Sequence, residues 1–307
     1  MTTTADQPSA ATPSAVELGL ESAQKPRSMF ARGWEVFAEN KLALAALVFL
    51  IASIAFAYLG PVFYHGDTTV PNIDLFTNPP GAGAPLGTDQ QGFDELAELM
   101  KGTQASLEVG LAAGAIAAVV GALYGAVSGY VGGWVDALMM RIVDALMSFP
   151  FVFILIFLSA ALGKTKTALI MEIGFASWFG ITRLVRGEAL SIKVRDYVAA
   201  AKMMGGGGTR IIYKHILPNT IGTSIVNTTF SIADAIFYLS TLSFLGLGLP
   251  ATEPDLGALV NNGTNYADAG YWWMIYPAAI LIILLIMSFN LIGDALRDAV
   301  ETRLQKR

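Results

Sequence analysis

The chain has 307 residues, of which 54% are hydrophobic and 14% charged, with a net charge of -5 and a mean hydropathy of +0.56. A soluble domain of this length has no use for so much apolar surface, so the composition excludes an ordinary soluble protein and makes the bilayer its solvent. The absence of cysteine excludes disulfide frameworks and thiolate metal sites, and the two histidines, His65 and His215, lie far apart in sequence and do not suggest a metal site.

Residues 1–28 are Thr, Ser, Ala and Pro with few large apolar groups, a composition that cannot bury enough surface to fold, so a disordered tail is expected there. A cleavable signal peptide is not expected, because the first apolar run begins beyond residue 40 and no small-residue cleavage site follows it closely. Phe30, Trp34 and Phe37 fall at helical spacing beside Arg32 and Lys41. That spacing suits a short interfacial helix over 29–41, or an ordinary flank with aromatic anchors.

A hydrocarbon core of about 30 Å needs roughly 20 apolar residues per helix. Six stretches qualify: Leu42 to Leu59, Ser106 to Ser128, Ala137 to Leu162, Ala168 to Val185, Pro218 to Leu239 and Trp273 to Leu291. Cytoplasmic loops retain lysine and arginine. With the N-terminus inside, sixteen of the nineteen basic residues fall on the cytoplasmic side, and only Lys101, Lys164 and Lys166 fall outside. Asp67, Asp74, Asp89, Asp94, Glu95, Glu98, Glu253, Asp255 and Asp268 all lie on the outer side. The expectation is an all-α polytopic membrane protein: a six-span domain over 42–300, both ends cytoplasmic, and a C-terminal tail at 301–307.

In the second span Gly110 and Gly114, then Gly121, Gly125 and Gly129, recur every fourth residue, a spacing that lets two helix backbones approach closely. Such a face serves dimerisation or, the reading preferred here, packing within one subunit. Arg141 and Asp144, three apart, are expected to form a structural ion pair. Gly163-Lys164-Thr165 shares the ending of a phosphate-binding loop, but the earlier glycine position holds Leu158 and no strand precedes it.

Between Tyr197 and Asn219 the chain reads YVAAAKMMGGGGTRIIYKHILPN, a cluster of basic and glycine residues among apolar runs. A helix from Arg195 to Met204 is broken by Gly205 to Gly208, and a second helical stretch, Thr209 to His215, meets Pro218, which can start a helix. The result is a cytoplasmic hook over 195–217. Ala199, Ala200 and Ala201 give a smooth face flanked by Arg195, Asp196, Tyr197 and Lys202, suited to a partner's groove. A merely solvated basic loop explains the charges and leaves the alanine run and the glycine break unexplained.

In the fifth span Thr220, Thr223, Ser224, Asn227, Ser231, Asp234 and Tyr238 fall within an arc of about 100°, while Ile225, Ile232 and Ile236 face the other way. A polar stripe inside a membrane either glues helices together or lines an aqueous passage, and the ionisable Asp234 shifts the weight to the passage. The outer loops near 60–104 and 241–272 add acidic residues and the aromatics Phe93, Tyr266, Tyr271, Trp272 and Trp273. They offer Phe93, Asp255 and Asp268 to a docking protein, or else reflect only the charge bias and an interfacial aromatic belt.

The hook resembles the cytoplasmic loop of bacterial ABC import permeases, in which Glu-Ala-Ala, three residues, Gly, nine residues and an apolar-Pro element form the coupling helices. Ala199, Ala200 and Ala201 take the first places, with Ala199 where the glutamate is customary; Gly205 is the glycine, Gly206 to Lys214 fill the gap, and Leu217-Pro218 closes it. Leu86-Gly87-Thr88-Asp89 with Gly92 and Asp94, Gly129-Tyr130, Phe149-Pro150, the run Leu242 to Gly248, and Phe289-Asn290-Leu291 with Gly293-Asp294 are similar to motifs of the C-type membrane subunit of dipeptide and oligopeptide importers. Phe93 stands where that motif usually has arginine. The resemblance covers about residues 40–300.

What the resemblance implies is a type I ABC importer permease fold in the bacterial cytoplasmic membrane. Implied too are a homologous B-type permease partner, two ABC ATPase subunits that bind ATP and Mg, and an extracytoplasmic peptide-binding protein. The chain itself needs no cofactor and no nucleic acid, and its scattered carboxylates lack the convergent groups of an enzyme. Related nickel, haem and opine importers share much of this pattern. The competing classes are an ion-coupled secondary transporter, with Asp234 or Glu172 carrying a proton, and a membrane scaffold; the hook favours the importer, since an ion-driven carrier needs no ATPase docking surface.

Overall fold

The computed structural model describes residues 29–68, 70–81 and 83–305, so the tail read at 1–28 and the last two residues lie outside the described residues, as do the side chains of Phe30 and Arg32. The first helix, α1 (Met29–Glu39), stops at Asn40, whose side chain accepts hydrogen bonds from the backbone N–H groups of Leu42 and Ala43, both at 3.1 Å, and so starts α2 (Lys41–Phe63). Phe37 of α1 is buried with Ala43 and Ala46 against Ile292 and Ala295 near the end of the chain. The aromatic flank is therefore a helix with a packed face.

Asp94 caps α3 (Glu95–Val131), accepting from the Ala97 N–H at 2.9 Å. At 37 residues α3 is about 55 Å long, so it outreaches the hydrocarbon core and contains the whole expected second span. The third span, read as one run over Ala137–Leu162, is instead two helices, α4 (Gly133–Met147) and α5 (Phe151–Leu162), bent by 84°. Pro150 has no N–H to give the helix and disfavours helical backbone at Phe149, so the apolar run breaks there. The fourth span is α6 (Lys166–Ala176) and α7 (Phe179–Ile192), bent by 41°, with the Ser177 hydroxyl donating back to the Ile173 carbonyl at 2.8 Å.

The hook follows as α8 (Asp196–Met203) and a short α9 (Gly208–Ile211), which passes through a π-helical turn, Ile212–Ile216, into α10 (Leu217–Phe244). The stretch read as a separate second helix is thus continuous with the fifth span. At the far end of α10 from the hook comes α11 (Leu256–Thr264), and α12 (Tyr276–Gln305) closes the bundle, running through most of the stretch read as a tail. Among the described residues four helices are long and apolar enough to cross a membrane alone; with each bent pair taken as one span there are six.

α3 is the central post, packing on α2, α6, α7 and α10. Its glycines divide the work by height. A Cβ on Gly114 would lie 2.5 Å from Ile232 and one on Gly110 2.6 Å from Ile236, both on α10. Farther along, a Cβ on Gly125 would lie 2.5 Å from the Thr182 carbonyl and one on Gly129 2.7 Å from Ala189, both on α7. The glycine face is filled from within the subunit, which leaves none of it for dimerisation.

Candidate functional site

The polar stripe of α10 meets the two breaks in the bundle at a cleft of about 300 Å³. Asn227, Ser231, Asp234 and Tyr238 line it from α10, Met147, Phe149 and Phe151 from the α4–α5 bend, and Ser177 and Phe179 from the α6–α7 bend. The spacing i, i+4, i+7, i+11 brings the four α10 side chains onto one line of the helix. Both bends thus contribute walls of the cleft. Tyr238 packs on Phe151 with ring centroids 4.7 Å apart. Asp234 is exposed, and among the described residues no cation lies within ion-pair distance of it.

Three members of the predicted stripe lie elsewhere. Thr220 is buried, its hydroxyl donating to the Leu217 carbonyl at 3.1 Å, and the Ser224 hydroxyl is buried without a partner. Thr223 instead donates to Glu188 of α7, which makes the end of the stripe nearest the hook a helix-to-helix contact. On the opposite face Ile232 and Ile236 are buried against α3, as the periodicity predicts, but Ile225, two turns earlier, is 53% exposed.

The hook is built on a short apolar base. Val198, Ile211 and Ile216 are fully buried with Val143, Ala189 and Ile192, so α8 and the π turn sit firmly on α4 and α7. α8 ends in a double closure: Gly205 N–H donates to Lys202 O at 2.9 Å, and Gly206 N–H donates to Ala201 O at 2.9 Å. This closure puts Gly205 at φ +82°, a conformation that only glycine adopts freely. A Cβ on Gly206 would stand 2.6 Å from the Ala201 carbonyl, so that glycine is required as well.

Arg195, Asp196, Tyr197, Ala199, Ala200 and Lys202 are exposed, Ala201 is half-buried, and Pro218 opens the first turn of α10. Lys202 reaches over the Tyr130 ring at 5.2 Å, and Tyr197 lies against His215. Sequence reasoning missed Met203 and Met204, which are 89% and 82% exposed at the tip. Two large apolar residues just before a glycine stop were the available signal.

Behind the hook, Arg186 of α7 holds both Asp136 oxygens, at 2.6 and 2.7 Å, while Ser128 of α3 donates to the same carboxylate at 2.5 Å. Asp144 pairs with Arg183 at 2.6 Å and not with Arg141: the guanidinium from α7 reaches across where the neighbour on its own helix does not.

The loops read as outer are less acidic at their surface than the sequence implies. Asp89, Asp94, Glu95, Glu98 and Asp255 are all buried. Asp89 accepts from the Gln91 and Phe93 N–H groups, both at 2.8 Å, and the neighbouring Thr88 carbonyl accepts from the Trp273 indole at 3.2 Å, which pins the outer loop to the base of α12. Burial pushes the Asp89 carboxyl above the usual carboxylate range against those hydrogen bonds. Burial and the hydrogen bond to Asp94, at 2.6 Å, hold the Tyr64 phenol above its ordinary value.

Asp255, read as a docking charge, is wholly enclosed: one oxygen caps α11 through Gly257 N–H at 2.9 Å and Ala258 N–H at 3.2 Å, and the other accepts from Ser243 at 2.7 Å. Its burial likewise raises its pKa. A carboxylate with no exposed surface cannot contact a docking protein. Asp268 is exposed and Phe93 half-buried.

Residues 110–306 match the family model of the binding-protein-dependent transport system inner membrane component, and residues 28–80 match that of the N-terminal TM domain of oligopeptide transport permease C. The chain is 36% identical over 287 residues to the dipeptide transport system permease protein DppC of Bacillus subtilis (strain 168), covering 93% of this chain and 90% of the relative. It is 37% identical over 282 residues to the oligopeptide transport system permease protein OppC of Escherichia coli (strain K12), covering 90% of this chain and 92% of the relative. Among solved structures it is similar to an inward-facing MetNI methionine ABC transporter, with a TM-score of 0.53 and 20% identity over 66% of this chain and 96% of that one. At that identity the likeness shows a shared fold.

Proposed function

This chain belongs to the family of binding-protein-dependent transport system inner membrane components, and from that membership we propose that it forms half of the passage of an ATP-driven importer for di- or oligopeptides. It is a multi-pass membrane subunit of the all-α permease class and not itself an enzyme. The peptide substrate is supported by the printed names of relatives 36% and 37% identical over most of both chains.

The single observation that carries the passage is the cleft itself, with Asn227, Ser231, Asp234 and Tyr238 aligned along it between two bent spans. In the reading offered here, the homologous B-type permease closes the other side. The hook enters grooves on two ATPase subunits, which bind ATP and Mg, and an extracytoplasmic binding protein delivers the peptide to the outer loops. Both termini then lie in the cytoplasm, consistent with the basic residues of the hook and of α12 on one side.

The reading is tested by coexpressing the chain with its homologous permease, ATPases and binding protein, purifying the assembly and placing it in liposomes. ATP-dependent uptake of a labelled tripeptide is the expected result. Uptake driven by an ion gradient without ATP, or no copurification with ATPases, would overturn it.

A further inference from the structure

An unpaired carboxylate within the apolar thickness of a membrane is costly, and it persists where a ligand or partner supplies the opposite charge. Among the described residues Asp234 is the one carboxylate or cation lining the cleft, and its walls are largely aromatic: Phe149, Phe151, Phe179, Phe230 and Tyr238. The Phe151 and Tyr238 rings pack on each other beside it, and Tyr238 stands one helical turn from Asp234 on the same line of α10. A carboxylate among aromatic faces is the environment that attracts an organic ammonium or guanidinium, through charge and ring quadrupole together. Asn227 and Ser231 add neutral polar groups that serve a peptide backbone without favouring either sign of charge.

We propose that Asp234, with the rings of Phe151 and Tyr238, forms a cation-selective way-station in the passage, favouring peptides that carry positively charged groups over those that carry negative ones. The inference rests on the proposed importer function. One carboxylate is enough to favour entry yet too little to trap the cargo, which conduction requires. The competing arrangement, a lysine or arginine of the homologous permease paired with Asp234, is the outcome that the copurification measurement detects.

The test uses the assembled complex in liposomes with its binding protein, and the probes are labelled trilysine and triglutamate. The ratio of their uptake rates, compared between wild type and variant, cancels the preference of the binding protein. Asp234→Asn should lower the trilysine-to-triglutamate ratio about tenfold, Asp234→Glu should restore it, and Tyr238→Leu should lower it by a smaller factor. An unchanged ratio in Asp234→Asn would overturn the way-station, as would loss of copurification with the partner permease, which would assign Asp234 to a bond between subunits. A wild-type complex that takes up neither peptide would instead overturn the importer reading.

Discussion

Arg186 grips Asp136 through two hydrogen bonds of 2.6 and 2.7 Å across fifty residues of sequence, joining α7 to α4 beneath the hook. The Asp136 side chain is 12% exposed and the Arg186 side chain 32%, so the pair is partly shielded from water. Removing one partner leaves the other charge short of hydrogen bonds.

Arg186→Ala is therefore expected to destabilise the subunit by about 2–4 kcal/mol, and Arg186→Lys to recover part of that, since lysine keeps the charge but loses the fork. Thermal unfolding of the detergent-solubilised complex measures both. If Arg186→Lys proves as damaging as Arg186→Ala, charge contributes nothing and only the bidentate geometry matters.

The turn after α8 depends on the positive φ of Gly205, while the space around a Cβ there is open. Gly205→Asn should keep most ATP-driven uptake, because asparagine tolerates this backbone. Gly205→Val should cost roughly 1–2 kcal/mol of local strain and depress uptake while leaving membrane insertion intact. Equal uptake in the two variants would show that backbone conformation at the hook is irrelevant to coupling.

With no cysteine in the chain, single cysteines report accessibility cleanly. Asn227→Cys, Ser231→Cys, Asp234→Cys and Tyr238→Cys should react with membrane-impermeant thiol reagents at rates that change when ATP is added. Ile232→Cys and Ile236→Cys, held against Gly114 and Gly110, should stay protected. Uniform labelling of both faces would remove α10 from the passage.

Asp255 gives a pH signature. Its folded pKa is raised by burial, so between the unfolded and folded values the native state holds more protons. Its contribution to stability accordingly falls as pH rises from the unfolded carboxylate value through the raised folded one. Asp255→Asn keeps the cap, removes the charge and should flatten that acid-side slope in melting experiments, whereas Asp255→Lys should prevent assembly. A slope unaltered by Asp255→Asn would mean that other groups set it.

Asp268 remains the exposed acid proposed for docking. Asp268→Lys alone should weaken the stimulation of ATPase activity by the binding protein and flatten its salt dependence. An unchanged salt profile would leave the outer loop with only its aromatic belt.

Much of this was legible in the sequence. Hydropathy located the six apolar stretches, four of which are single long helices and two of which are bent pairs, helical periodicity found the cleft-lining face from Asn227 to Tyr238, and the spacing from Ala199 to Pro218 located the hook. Hydropathy is blind to direction, so the runs around Pro150 and Ser177 read as straight spans although each is bent. The buried state of Asp255 was equally hidden. Its carboxylate is satisfied by Ser243, twelve residues away, and by the turn that it caps, and nothing in the charge count distinguishes such an acid from a solvated one. The Asp144–Arg183 pair needed α4 and α7 side by side before it could be chosen over Arg141.

α10 runs unbroken for 28 residues, about 42 Å, from the root of the hook to the outer turn where Ser243 meets Asp255. Near its middle, Ile232 and Ile236 are seated in the notches left by Gly110 and Gly114. The helix is also tied at both ends, to Glu188 of α7 through Thr223 and to Asp255 through Ser243. It therefore joins the root of the hook to the turn before α11 as one rigid element, with no loop between them to absorb a displacement at either end.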